Sequence, residues 1–458
     1  MTVDALVVEI GSTTTVVSAF DGLGEGAEGT PVGGGGARRE PRLLGQGTAM
    51  TSVTAGDVTL GAAEARTHLE ELTGPMAPRW VLATSSAAGG LRMTVHGLTE
   101  RMTARAAREA ALGAGAVVKY QTAGRMREGD LRRVVAAAPG LILLAGGVEG
   151  GDVGTVLWNA ARLAETEDWP GARKPIVVYG GNSAVKVEVR EILEAAGFRV
   201  RITANVYPAV DELDILPARA AIHDAFEEHI THAPGMERIG EMVNGPILPT
   251  PGAVLLAAER LAEAIGDLLV IDVGGATTDV HSITDGSPEI APLQTEPQPH
   301  SRRTVEGDLG TYVSAQHVAT LLDARERPEA LPPALPGNPG QVAAARRLAR
   351  AAALTAVQRH AGRLSYVYTP TGRKTVARGR DLSACRWVIG TGGALTRLPG
   401  GLEILEEIGA CRGGDLLLPP PDARCLLDGD YIFAACGTLL GVFGCECVVA
   451  LMRRSLGV

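Results

Sequence analysis

The sequence is poor in aromatic residues: Phe, Trp and Tyr together make up 3% of 458 residues. A core built without them is aliphatic, and its helices must approach closely through small side chains. Cysteine is missing from the first 384 residues; all six, Cys385, Cys411, Cys425, Cys436, Cys445 and Cys447, come later. That placement excludes a disulfide framework spread along the chain, and free thiols in a reducing cytoplasm are the expectation. There is no CxxC pair, and Cys445-Glu-Cys447 has no histidine nearby, so a metal site there is not expected. There is no basic excess; a net charge of −9 argues against a non-specific nucleic-acid binder. No secretory leader is expected, because the N-terminus enters an apolar run directly. There is no GxxxxGK[ST], which argues against a P-loop NTPase. Residues 431–452 form the one apolar run long enough to span a bilayer, but it carries Glu446, Gly437, Gly441 and Gly444. It therefore reads as a buried turn and core helix, and no membrane association is expected.

What is present is organised around Leu269-Val-Ile-Asp272-Val-Gly274-Gly275-Ala-Thr277-Thr278-Asp279-Val280. A short apolar run reads as a buried strand. An acidic residue closes it, glycines turn it, and hydroxyl residues open a second strand. Glycines let backbone N–H groups approach a phosphate, and threonine hydroxyls add hydrogen bonds. A carboxylate beside the turn is suited to hold a hydrated metal ion or to orient water. A plain Gly-Gly hairpin explains one such stretch equally well. Leu6-Val-Val-Glu9-Ile-Gly11-Ser12-Thr13-Thr14-Thr15 repeats the pattern, with Glu9 matching Asp272, Gly11 matching Gly274, and Thr14 matching Thr277. Two matching hairpins imply two related half-domains facing each other.

Between the hairpins the pattern changes. Residues 22–41 read as a glycine-rich loop, and Asp57 to Leu72 as a helix capped by Asp57. From about 79 to 205, apolar strands alternate with helical stretches, which implies βαβ units and a parallel sheet. Its strand ends carry Ala145-Gly146-Gly147 and Gly180-Gly181-Asn182, turns that serve strand reversal or face a ligand crevice. Residues 206–250 read as helical and charged. His229-x-x-His232 has helical spacing, but a solvated face explains it better than a ligand pair. Arg303-Thr-Val-Glu306-Gly-Asp308-Leu-Gly310 places two carboxylates around a glycine; metal-bound water and a helix cap both suit Asp308. A proline-rich stretch at 326–340 reads as a linker before an alanine-rich helix at 341–362. Trp387-Val-Ile-Gly390-Thr391-Gly392-Gly393-Ala394 is a further strand with a glycine turn, and the last helix is expected from about 437.

The order of these motifs resembles the actin, Hsp70 and sugar-kinase superfamily. Closer still, Ala83 to Leu91, Val178-Tyr-Gly-Gly-Asn182 and Arg303 to Gly310 resemble the MutL (GlmL) family, the accessory protein of glutamate mutase. The resemblance runs nearly end to end. It implies an actin-like (ribonuclease H-like) duplicated ATPase with an inserted Rossmann-like α/β domain. The expected boundaries are residues 1–78 for the first ATPase subdomain, 79–205 for the insert, 206–267 for a helical connection, and 268–458 for the second subdomain. It implies ATP or ADP with Mg²⁺ as cofactors and a reactivating chaperone for an adenosylcobalamin-dependent mutase or aminomutase. Gly11, Ser12, Thr13 and Thr14 match the first phosphate loop; Gly274, Gly275 and Thr277 match the second; Gly392 and Gly393 match the adenosine turn. Asp272 and Glu9 are the expected catalytic and metal-holding carboxylates, followed by Glu306 and Asp308 for the metal. The superfamily has Asp where this chain has Glu9. A small-molecule kinase and a non-hydrolysing nucleotide scaffold are the alternatives; homo-oligomerisation stays open.

Overall fold

In the computed structural model, residues 1–24, 40–52, 55–86, 91–170, 174–230, 235–369, 372–410 and 414–458 are described. The expected loop tip around Gly33, the Gly89-Gly90 turn, His232 and Cys411 lie outside them, as does the His229 side chain. The chain forms two compact units.

The first unit comprises residues 1–87, 241–247 and 253–458. It opens with β1 (Thr2–Ile10), β2 (Thr14–Asp21), β3 (Arg42–Met50) and β4 (Ala77–Ser85). β1 and β2 are antiparallel, β2 and β3 are antiparallel, and β4 runs parallel to β1. From Ala5 to Ile10 every residue of β1 is buried, as a strand covered on both faces requires. Helix Val58–Thr73 packs on β3, and the Asp57 carboxylate accepts from Thr59 N–H at 2.9 Å to cap it. Its close approach needs glycine at 47, where a Cβ would sit 1.9 Å from the Ala65 carbonyl oxygen.

The chain then leaves for the second unit, residues 88–240 and 248–252. Its strands are β5 (Arg92–Gly97), β6 (Val117–Ala123), β7 (Leu141–Leu144), β8 (Ile176–Tyr179) and β9 (Arg199–Ile202). All pair in parallel in the order β6-β5-β7-β8-β9. Each connection carries a helix or helical turn, as parallel neighbours demand. β7 and β8 are buried along their whole length, so their sequences are unbroken apolar runs. The strand-end turns bind one another: Glu149 accepts from Ser183 N–H at 3.1 Å and from Asn205 Nδ2 at 2.7 Å.

Ile247–Pro249 forms β10, and helix Thr250–Ile265 follows it. The second half-sheet contains β11 (Leu268–Val273), β12 (Thr278–Ile283), β13 (Ser301–Glu306), β16 (Trp387–Thr391) and β17 (Arg424–Leu427), with the separate hairpin β14 (Arg363–Thr369) and β15 (Gly372–Arg378) between them. Its order is β13-β12-β11-β16-β17, antiparallel across β13-β12-β11 and parallel across β11-β16-β17. The first sheet, β10-β4-β1-β2-β3, repeats that plan in mirror listing, with β1 corresponding to β11 and β4 to β16. The duplication foreseen in the two hairpins is thus carried by whole half-sheets, the ribonuclease H-like arrangement. The core beside the second sheet is aliphatic and alanine-rich, with Ala349, Ala351, Ala352, Ala353 and Ala356 of helix Pro339–His360 buried in it.

Three expectations are corrected in detail. Trp80-Val-Leu-Ala83 does not open the insert; it lies in β4, paired with Ala5 to Val8 of β1. Helix Leu216–Ile230 belongs to the parallel-sheet unit rather than to a separate connection. The last helix is two, Phe433–Leu439 and Cys445–Leu456, broken by a turn at 440–444. No described helix is long and apolar enough to cross a membrane.

Candidate functional site

Both hairpin turns close in the same way. Gly11 N–H donates to Thr14 O at 2.9 Å, and Gly274 N–H donates to Thr277 O at 2.9 Å. The carbonyls of each turn are held from behind. Thr51 binds Gly11 O through its hydroxyl and Thr13 O through its N–H, both at 2.9 Å. Thr311 N–H binds Gly274 O, and Tyr312 and Val313 N–H both bind Gly275 O at 2.8 Å. The amides of Ser12, Thr13, Gly275 and Ala276 have no partner among the described residues. The two turns also meet: a Cβ on Gly275 would lie 3.1 Å from Thr13 Oγ1. Free amides in consecutive residues of a turn are the kind of group that makes an anion-binding nest.

Two carboxylates stand beneath the turns, each near the end of the first strand of its half-sheet. Glu9 is 4% exposed, and its Oε1 has no hydrogen-bond partner among the described residues. Burial first, then the charges of Asp428 and Asp272, push its pKa from 4.5 up to about 8. Asp272 is half-buried; burial and then Asp279 push its pKa from 3.8 up to about 7, against a lowering pull from Arg303. A cation beside them would favour the ionised form that burial and neighbouring negative charge disfavour.

Gly392 and Gly393 follow β16, beside Asp272. Gly392 has φ 85°, and a Cβ there would lie 2.5 Å from Val273 O as well as overlapping Asp272. Gly393 opens a short helix, and no atom lies within 4 Å of where its Cβ would be. The structure therefore brings together Glu9, Asp272, both glycine turns and the Gly392-Gly393 turn. Glu306 and Asp308 stand apart from that carboxylate pair in their bonding. Arg359 Nη1 donates to Glu306 Oε2 at 2.7 Å and to Asp308 Oδ1 at 2.8 Å, and His317 Nε2 lies 3.0 Å from Asp308 Oδ2. Among the described residues no group of three or more His, Cys, Asp or Glu side chains is arranged to hold a metal ion directly.

Several residues here escaped the sequence reading. Asp428, at the end of β17, is fully buried and accepts from Thr391 Oγ1 at 2.9 Å, Ile432 N–H at 2.8 Å and Ser455 Oγ at 2.6 Å. Burial raises its pKa, and those hydrogen bonds pull it back. Leu426-Leu427-Asp428 is an apolar run closed by an acid, the same local signal as Glu9 and Asp272. Tyr431 has φ 52°, unusual for a non-glycine residue, and Arg397 lies over its ring at 5.6 Å. Gln46 of β3 donates to Tyr431 O at 3.3 Å and accepts from Arg397. Behind the second turn, Asp279 accepts from Arg303 Nε at 2.9 Å and from Thr277 Oγ1 at 3.1 Å.

The family model described as MutL protein matches residues 5–455. The chain is 35% identical over 462 residues to Protein MutL of Clostridium tetanomorphum, covering 95% of each. Among solved structures, an ATP-dependent caprolactamase from Pseudomonas jessenii matches 95% of this chain and 70% of its own at 12% identity and a TM-score of 0.37. Component A of (R)-2-hydroxyglutaryl-CoA dehydratase from Acidaminococcus fermentans matches 98% of each chain at 8% identity and a TM-score of 0.30. At those scores the likenesses add nothing to what the sheet order shows.

Proposed function

The chain belongs to the MutL protein family, and on that premise we propose that it is an ATP-binding, ATP-hydrolysing accessory protein that reactivates an adenosylcobalamin-dependent mutase or aminomutase. The observation that carries the nucleotide half of the reading is the pair of facing turns, each with amides left free and carbonyls tied back. Ser12, Thr13 and Thr14 would hold phosphate oxygens from one side, and Gly275, Ala276 and Thr277 from the other. Gly393, whose would-be Cβ meets nothing within 4 Å, would let the backbone approach the adenosine. Mg²⁺, when bound with the nucleotide, would neutralise phosphate charge.

The unpartnered Oε1 of Glu9 fits such a cation or its hydration water. Asp272 is the first candidate to orient metal-bound or attacking water, and Glu9 the second. Both carry a proton more readily than an ordinary carboxyl, so each must lose it when a cation arrives. Glu306 and Asp308 rank lower, because Arg359 already binds both. The parallel-sheet unit is assigned to the partner enzyme, and the cytoplasm is the expected compartment.

A second reading, a nucleotide-binding scaffold without turnover, draws support from Glu9, a longer and strongly desolvated side chain where the resemblance leads one to expect Asp. ATP hydrolysis measured for the wild type and for Asp272→Ala, with and without an adenosylcobalamin mutase, separates the two. Turnover lost about a hundredfold in the variant, at retained nucleotide binding, supports the ATPase. No turnover in the wild type under either condition sinks it. Recovery of activity by an inactivated mutase, dependent on ATP and on this chain, tests the accessory role.

A further inference from the structure

Between the two halves of the second sheet's chain path, β14 and β15 form a two-stranded ribbon that belongs to no larger sheet. Its base is anchored: Leu364 N–H donates to Asp415 O at 2.7 Å, and Thr295 N–H donates to Ala377 O at 3.2 Å. Beyond the base the ribbon is exposed. Tyr366 is 51% and Tyr368 81% exposed. Arg363, Arg373, Lys374 and Arg378 are all exposed, and no Asp or Glu occurs from 363 to 378. None of the four cations is ion-paired among the described residues. Arg363 sits directly opposite Arg378 across the strands, a like-charge pair that weakens an isolated ribbon. Tyr368 sits opposite Arg373, whose guanidinium also lies 4.3 Å from the Tyr366 ring centre.

This is a concentrated basic and aromatic surface on a chain whose net charge is −9. Two-stranded ribbons are marginal on their own, and this one exposes aromatic rings and uncompensated charge instead of a solubilising mixture of signs. Tyrosine and arginine are the residues that anchor protein interfaces, and clustered charge selects a partner of opposite sign. A nucleic acid is a poorer fit, because its charge continues past the ribbon into the field of the whole chain, whereas a short acidic segment meets the ribbon alone. We propose that the β14–β15 ribbon is a docking element for an acidic surface on a partner protein, with Tyr366 and Tyr368 as anchors and Arg363, Arg373, Lys374 and Arg378 as its charge complement. It rests on the accessory-protein reading only for the existence of a protein partner; the test below needs no mutase and no nucleotide.

The full chain is titrated with a short fluorescein-labelled oligoglutamate peptide and, separately, with a single-stranded RNA oligonucleotide of matched charge. Three proteins are compared: the wild type, a charge reversal (Arg363→Glu, Arg373→Glu, Arg378→Glu), and Tyr366→Ser with Tyr368→Ser. The peptide binds the wild type in a salt-sensitive manner. The charge reversal weakens this binding about tenfold or more, and the tyrosine variant weakens it at unchanged charge. Far-UV circular dichroism and melting temperature, read in parallel, stay at the wild-type values in both variants and show that they are folded. Equal peptide binding by wild type and charge reversal, no peptide binding at all, or tighter binding of RNA than of peptide overturns the proposal. Because ATP turnover enters none of these readings, failure of the ribbon proposal leaves the nucleotide site untouched, and the reverse holds as well.

Discussion

A Cβ atom at residue 392 would lie 2.4 Å from Asp272 Oδ1. The backbone of the Gly392-Gly393 turn is thus fitted against a candidate catalytic carboxylate. Gly392→Ala would impose a left-handed φ on a residue with a Cβ, at about 1–2 kcal/mol, and displace Asp272 besides. The expected result is a lower urea midpoint together with nucleotide affinity reduced about tenfold or more. Gly393→Ala is the informative comparison. Nothing lies within 4 Å of its would-be Cβ in the free protein, so stability should barely change while nucleotide affinity falls. Equal losses of stability in the two variants would show that the space beside Gly393 is not reserved for a ligand.

Glu9 makes the ligand-free protein sensitive to pH. Its folded pKa is raised, so the folded chain holds the proton more tightly than the unfolded chain does. The stability that comes with the neutral form is complete below the ordinary pKa of 4.5 and is lost as pH rises toward about 8. Asp272 adds a loss of the same sign between 3.8 and about 7. Melting temperature should therefore fall as pH is raised across this window, by an amount corresponding to at most about 5 kcal/mol for Glu9. Glu9→Gln removes the titration, should flatten the profile and should make the ligand-free protein more stable at the alkaline end. A variant profile as steep as that of the wild type would mean that another group governs it.

Local sequence revealed the two hairpins because each packs its signal into a few residues: an apolar run, an acid, glycines and threonines. The parallel-sheet unit was legible for the same reason, since short apolar runs such as Leu141 to Leu144, alternating with helical stretches, are what strands covered on both faces carry. What was missed depends on pairing across long separations. Trp80-Val-Leu-Ala83 has the composition of a strand in either unit, and nothing local says that its partner is β1. Asp428 acquires its role from Thr391, Ile432 and Ser455. Arg397 gains significance only when β3 brings Gln46 to it, 351 residues away. Glu306 and Asp308 show the converse: their spacing suits metal-bound water, but helix Pro339–His360 delivers Arg359 to both.

The Asp279–Arg303 pair sets up a stability prediction. The two side chains are 5% and 1% exposed. Removing one partner strands the other as a buried charge, at about 3–5 kcal/mol. Arg303→Met should therefore be severely destabilising by chemical denaturation. Adding Asp279→Asn removes the stranded charge and should restore a large part of the loss. Thr277 would still lose a carboxylate acceptor, so phosphate binding should remain weakened after stability recovers. A double variant no more stable than Arg303→Met would show that Arg303 acts through its other contacts instead.

Arg359 separates the two sets of carboxylates that the sequence offered for a metal. Its hydrogen bonds hold the Asp308 carboxyl below the usual carboxylate range. Arg359 and Asp308 are about two-fifths exposed, which limits the pair's worth to about 1 kcal/mol or less. Arg359→Ala should then cost little stability while freeing Glu306 and Asp308 from their cation. If those two residues hold the metal, the Mg²⁺ requirement of nucleotide binding should drop in that variant. The expected outcome is an unchanged Mg²⁺ requirement, because the unpartnered oxygen lies on Glu9 and the carboxyls whose ionised form a cation would favour are Glu9 and Asp272. Asp272→Asn, in contrast, should raise the Mg²⁺ concentration needed for half-maximal nucleotide binding about tenfold. Titrating Mg²⁺ at fixed nucleotide across the wild type and both variants decides which pair of carboxylates the cation uses.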